Sequence, residues 1–142
     1  MTRESAPDWK PYFGFESPYA NQADAIETAI ETVGDRGYLA MEGPCGTGKT
    51  MAALTAAATL LRETDEFDNI FVATPVKQQR QQFIDDLRTI NRGVDTPLSG
   101  VALVGKTDLC PYGREALFQA YPSVHDRCAD LPDSPPAALL PS

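Results

Sequence analysis

The chain has 142 residues, with 20 Asp and Glu against 12 Lys and Arg, for a formal net charge of −8. That length holds one ordinary domain at most, and 42% hydrophobic with 8% aromatic residues excludes wholesale disorder. No apolar run is long enough to span a bilayer, the first residues (MTRESAPDWKPYFG) have no secretory apolar core, and three widely spaced cysteines build no disulfide framework, so the expectation is a soluble, cytoplasmic protein with no membrane partner.

In chain order, an aromatic lead-in carries Trp9, Tyr12, Phe13, Phe15 and Tyr19. Asn21 is a candidate N-cap, with Asp24 placing a carboxylate in the first turn of a helix. Ala25, Ile26, Ala29, Ile30 and Val33 recur at helical spacing, which predicts an amphipathic helix over 22–33 ending at Gly34. Tyr38-Leu39-Ala40-Met41 reads as a short buried strand. A glycine-rich loop follows over 43–48, then an Ala- and Leu-rich helix over 49–62. Ile70-Phe71-Val72-Ala73 reads as a second strand closed by Thr74-Pro75, residues 76–90 as a helix with Phe83, Leu87 and Ile90 on one face, and Val101-Ala102-Leu103-Val104 as a third strand. Strands alternating with helices predict an α/β fold, a parallel sheet flanked by helices with right-handed crossovers. The pattern changes after Gly105, and the proline-rich end (PDSPPAALLPS) has no periodicity.

The acidic balance rests on Asp rather than Glu and on Arg rather than Lys. A plain acidic surface and adaptation to a high-salt cytosol both account for it. The negative charge would argue against nucleic-acid binding, yet in molar salt the Debye length falls to about 3 Å and that argument weakens. Charge alone decides nothing.

The strongest signal is Gly43-Pro44-Cys45-Gly46-Thr47-Gly48-Lys49-Thr50, which fits G-x-x-x-x-G-K-[ST] at every fixed position. Each part has a chemical reason. Glycines let backbone N–H groups turn toward phosphates, and the following helix adds its positive dipole end. Lys49 would reach the β- and γ-phosphates of ATP, and the Thr50 hydroxyl would ligate Mg²⁺. Chance agreement at four positions in a chain of this length is about 1%. Cys45, inside the loop, reads as a loop-filling thiol rather than a metal ligand.

Three further segments carry a resemblance. Phe13-Gly14-Phe15-Glu16-Ser17-Pro18-Tyr19-Ala20-Asn21-Gln22 resembles the aromatic-plus-Gln adenine motif of superfamily 2 helicases. Val72-Ala73-Thr74-Pro75-Val76 resembles their motif Ia, which touches single-stranded DNA. Gly105-Lys106-Thr107-Asp108-Leu109-Cys110, with Cys128 further on, looks like the start of the iron–sulfur domain of the XPD/DinG helicases. The resemblance implies a RecA-like P-loop motor over 1–105, then the beginning of a [4Fe–4S] domain over 106–142. By the same resemblance Gln22 would bond the adenine edge with Phe13, Phe15 or Tyr19 beside the base. Thr74, Lys77 and Lys106 would lie along the DNA, and Cys110 and Cys128 would be two of four cluster thiolates. The activity implied is ATP-driven 5′→3′ translocation on single-stranded or forked DNA, in repair or replication.

Bland readings of the same residues stay open: a small aromatic core around the first helix, a helix cap at Thr74, solvated Lys77 and Lys106, and buried thiols or zinc shared by His125 and Cys128. A cluster needs four thiolates as a rule. The acidic motif that ends a strand in such ATPases is also not found. Asp65-Glu66 precedes an apolar run, and Asp85-Asp86 falls within a helical period, so both pairs read as solvated carboxylates. The expectation is therefore an N-terminal piece of a helicase, poorly soluble and without ATP turnover by itself. The alternatives are another P-loop ATPase or nucleotide kinase, and a non-catalytic nucleotide-binding remnant.

Overall fold

The computed structural model describes residues 7–105 of the protein. The chain divides between Val101 and Ala102; the unit before that division is described here, and residues 102–105 carry no regular secondary structure. Its elements are a 3₁₀ turn, Lys10–Tyr12, and three α-helices: α1 (Gln22–Gly34), α2 (Lys49–Glu63) and α3 (Lys77–Ile90). The three helices fall within a residue or so of the ranges expected from periodicity.

α2 is the central element, packed by α1, by α3 and by the 3₁₀ turn. Its sequence is mostly Ala, Leu and Thr, so small side chains let neighbours approach on two sides. Met51, Ala52, Leu54, Ala58 and Leu60 are buried there with Ile26 and Ile30 of α1 and Ile90 of α3. Two threonines, Thr55 and Thr59, are fully buried without an unmet hydroxyl. Thr59 Oγ1 donates to the Thr55 carbonyl at 2.8 Å, and Thr55 Oγ1 donates to the Tyr12 carbonyl at 3.2 Å.

The aromatic lead-in straps these helices together. Trp9 and Phe13 are core residues, packed edge to face with centroids 5.6 Å apart. Trp9 Nε1 donates to Glu27 of α1 at 3.3 Å and Tyr12 Oη to Glu63 of α2 at 2.6 Å. Burial, then the Glu63 carboxylate, pushes the Tyr12 phenol up to about 12. Gly14 follows with φ +69°, and its backbone lies so close to the end of α3 that a Cβ would come within 3.1 Å of the Ile90 amide. Beyond α3, Asn91 exchanges two 2.8 Å hydrogen bonds with the backbone of Leu98, which seats that leucine in the core.

The expected parallel sheet is not found: among the described residues there is no strand. The segments 38–41, 70–73 and 101–104 have no ladder, and Tyr38, Phe71, Val101 and Leu103 stand almost wholly in solvent. A helix satisfies its backbone within itself and needs only one apolar stripe to pack. A parallel strand needs a paired neighbour and cover on both faces, and runs of four residues supply neither by composition. The expected cap also differs. Asn21 occupies the N-cap position of α1 in the left-handed region, φ 63°, with no side-chain capping bond. Asp86, expected in solvent, is buried, because it shares a face of α3 with Ile90.

Burial raises the Asp86 carboxyl, a hydrogen bond from Gln82 Nε2 at 2.8 Å lowers it, and neighbouring Asp85 raises it again, with a net upward direction. A carboxyl held above its unfolded value lends stability at low pH that is lost as pH rises through its folded value. Asp86→Asn should therefore stabilise at pH 7 and remove that part of the pH dependence, as read from urea midpoints at pH 4 and pH 7; a less stable variant at pH 7 would contradict it. The exposed apolar runs should drive self-association of residues 1–142. Tyr38→Lys combined with Phe71→Lys is expected to shift size-exclusion elution toward the monomer with helical content unchanged; elution identical to wild type would refute this.

Candidate nucleotide-binding site

Residues 43–48 form a turn that opens α2. Gly46 and Gly48 both take the left-handed conformation, φ +82° and +75°. Space around them differs. A Cβ on Gly46 would meet nothing, whereas one on Gly48 would collide with the Gln22 amide and sit 3.3 Å from the Tyr19 ring. Thus Gly46 is required for its torsion alone, and Gly48 for torsion and close approach.

Lys49 folds back into the loop. Its Nζ donates to the carbonyls of Gly43 at 2.6 Å and Pro44 at 2.7 Å, and Thr47 Oγ1 donates to the same Pro44 oxygen at 2.9 Å. The ammonium is thereby held where a phosphate would lie, on neutral acceptors that a charged oxygen outcompetes. Gly48 is the N-cap of α2 and offers no capping side chain. No side chain caps the first amides of α2, so the first turn presents donors and the positive dipole end together. Thr50 Oγ1 likewise has no hydrogen-bond partner among the described residues and fits a Mg²⁺ ligand. No group of three or more His, Cys, Asp and Glu side chains comes together among the described residues. A cation there would take one protein oxygen, with phosphate and water supplying the others.

Gln22 is brought to this loop, which local sequence gives no means of foreseeing. It is 5% exposed; its Nε2 donates to the Gly48 carbonyl at 2.9 Å, and its Oε1 accepts from the Tyr19 amide at 2.9 Å. Tyr19 is largely exposed against the loop. Phe15 is exposed too, but its ring contact is with Phe13, 6.0 Å between centroids, and Phe13 itself is core and unavailable to a base. Thr74 does not cap α3, whose N-cap is Val76 without a side-chain capping bond; its Oγ1 accepts from the Val76 amide at 3.3 Å and donates to Gln79 at 2.6 Å. Lys77 begins α3 and is exposed. Cys45 is an exposed thiol. Lys106, Cys110, His125 and Cys128 lie outside the described residues. Beside the loop, Lys49 and Thr50 also border a cavity of ≈ 390 Å³, lined otherwise by apolar residues of α1, α2 and the segment 39–41, among them Val33, Met41 and Ala53.

The loop and the helix it opens define a phosphate-loop domain. Residues 16–110 match the family described as the res subunit of type III restriction enzymes, a span of more than half the chain, and the chain belongs to that family. Its defining part is a helicase superfamily 2 domain, so these residues are a helicase-like domain, and the match does not single out the iron–sulfur type. No curated protein and no solved structure matches the chain.

The two left-handed glycines separate torsion from crowding. Gly46→Ala should destabilise by about 1 kcal/mol through torsion alone, while Gly48→Ala also displaces the Gln22 amide and should cost visibly more in a urea melt. Equal losses would show that the approach of Gln22 is immaterial.

Proposed function

We propose that the chain binds the triphosphate of ATP with Mg²⁺ through residues 43–50, as the nucleotide-binding part of an ATP-dependent enzyme acting on nucleic acid. The observation that carries this is the arrangement at the start of α2: the Lys49 ammonium resting on two loop carbonyls, beside the first amides of α2, which no side chain caps. The family match supports the same class. In this scheme the incoming phosphates draw Lys49 off Gly43 and Pro44, the N–H groups of 46–50 close on the β-phosphate oxygens, and Thr50 takes the cation. Mg²⁺, when bound, shields charge between the phosphates.

Within that class, Thr74, Lys77 and Lys106 are proposed as backbone contacts to single-stranded DNA, supported by the motif Ia resemblance around Thr74-Pro75. The finer reading, an XPD/DinG-like 5′→3′ helicase with Cys110 and Cys128 as cluster thiolates, rests on the Leu109-Cys110 segment and the spacing to Cys128. Binding of nucleotide, not turnover, is the activity proposed for these 142 residues alone.

Calorimetric titration of residues 1–142 with Mg·ATP tests the proposal. Saturable binding is expected, with Lys49→Ala weaker by at least about 10-fold from loss of a charge-assisted contact, and with EDTA weakening it further. Wild-type and Lys49→Ala chains of equal affinity would refute it.

A further inference from the structure

The bases of this acidic chain are unevenly placed. α1 carries Asp24, Glu27 and Glu31 and no base, whereas α3 and the residues just past it carry Lys77, Arg80, Arg88 and Arg92 against Asp85 and a buried Asp86. Away from Phe83, Leu87 and Ile90, residues 81, 85, 88 and 92 follow one another at i, i+4, i+7 and i+11, which aligns them along the helix. The last turn reaches Arg92 through its amide, which donates to the Thr89 carbonyl at 3.3 Å. All four side chains are exposed, and at a rise of about 1.5 Å per residue the line is ~16 Å long. Every group on it is a donor except Asp85, whose Oδ1 accepts from Gln81 Nε2 at 3.1 Å and from Arg88 Nη1 at 2.9 Å. Arg92 has no acid partner among the described residues.

We propose that Gln81, Arg88 and Arg92 form a docking surface for the phosphate backbone of duplex DNA, and that Asp85 is its internal competitor, occupying two of the donors until a phosphate displaces it. That assignment rests on the nucleic-acid activity proposed above and adds a surface separate from Thr74, Lys77 and Lys106. The pair of Arg88 with Asp85 is well exposed, 66% and 54%, and a surface pair of that kind is weak. A phosphate oxygen accepts from the same amide and guanidinium, and releases counterions from the DNA as it does so. The line carries no aromatic side chain on which an unpaired base could stack, so it reads the backbone alone. A duplex presents that backbone in fixed geometry and at high charge density, which a straight row of donors matches better than a flexible single strand.

Fluorescence anisotropy of residues 1–142 with a labelled duplex of about 20 base pairs, and with a single strand of the same length, tests this over a range of salt. Arg88→Gln and Arg92→Gln keep a good helix former; each should weaken duplex binding by roughly 3- to 10-fold and lower the slope of log affinity against log salt by about 1. Asp85→Asn keeps an acceptor for Gln81 and Arg88 but loses the charge, and should tighten duplex binding by at least about 2-fold, a gain that misfolding does not produce. Mg·ATP affinity should be the same in all three variants. Duplex affinity unmoved by the three substitutions would reduce the line to an ordinary solvated helix face and overturn the proposal alone. Substitutions that alter single-strand binding and leave the duplex untouched would overturn it as well. A wild-type chain that binds neither DNA at low salt would bring down the nucleic-acid reading together with the surface.

Discussion

The carbonyl of Gly48 is the point on which the described structure turns. It closes the first turn of α2, it receives the Gln22 amide from α1, and it belongs to a residue that must be glycine for torsion and for space. With that oxygen in place, the start of α2 is held against α1, and the donors of its first turn face outward. The loop between them needs no side-chain scaffold beyond Lys49 and Thr47, which bond back to its own carbonyls. Rigidity at one end and exposure at the other are what a phosphate cradle requires.

Around that point the helices depend on an element that the family match does not reach. The strap of Trp9, Tyr12, Phe13 and Gly14 precedes residue 16, where the match begins. It nonetheless supplies two buried aromatics, bonds both α1 and α2 through carboxylates, and presses its backbone on the end of α3. Large aromatic surfaces are the most effective way for a small helical unit to gain buried area. The strap also leads directly into Tyr19 and Gln22, so the same segment that fills the core delivers the residues that meet the loop.

The opposite condition holds at the apolar runs. Tyr38, Phe71, Val101 and Leu103 are exposed, and the cavity beside Lys49 is lined mainly by small apolar groups of α1 and α2. A helix face and extended segments of this composition carry more apolar surface than the described residues cover. Alternation of apolar runs and helices predicts a sheet only if the runs find each other, and pairing is a property of partners rather than of any one run. That is why the helices were legible and the sheet was a misreading.

Several features were set by local sequence. The helical period of Ala25 to Val33, the Ala-rich composition of α2 and the spacing of Phe83, Leu87 and Ile90 place three helices, because helix bonds and helical faces are local. The fixed positions of the phosphate loop are equally local, since glycine torsions and the lysine that follows them act within eight residues. Tertiary structure alone decided the rest: that Phe13 is core while Phe15 and Tyr19 are exposed, that Asp86 is buried, and that Gln22 bonds to Gly48. Each of these depends on which surface arrives from a distant part of the chain, and neither propensity nor spacing encodes the arrival of a neighbour.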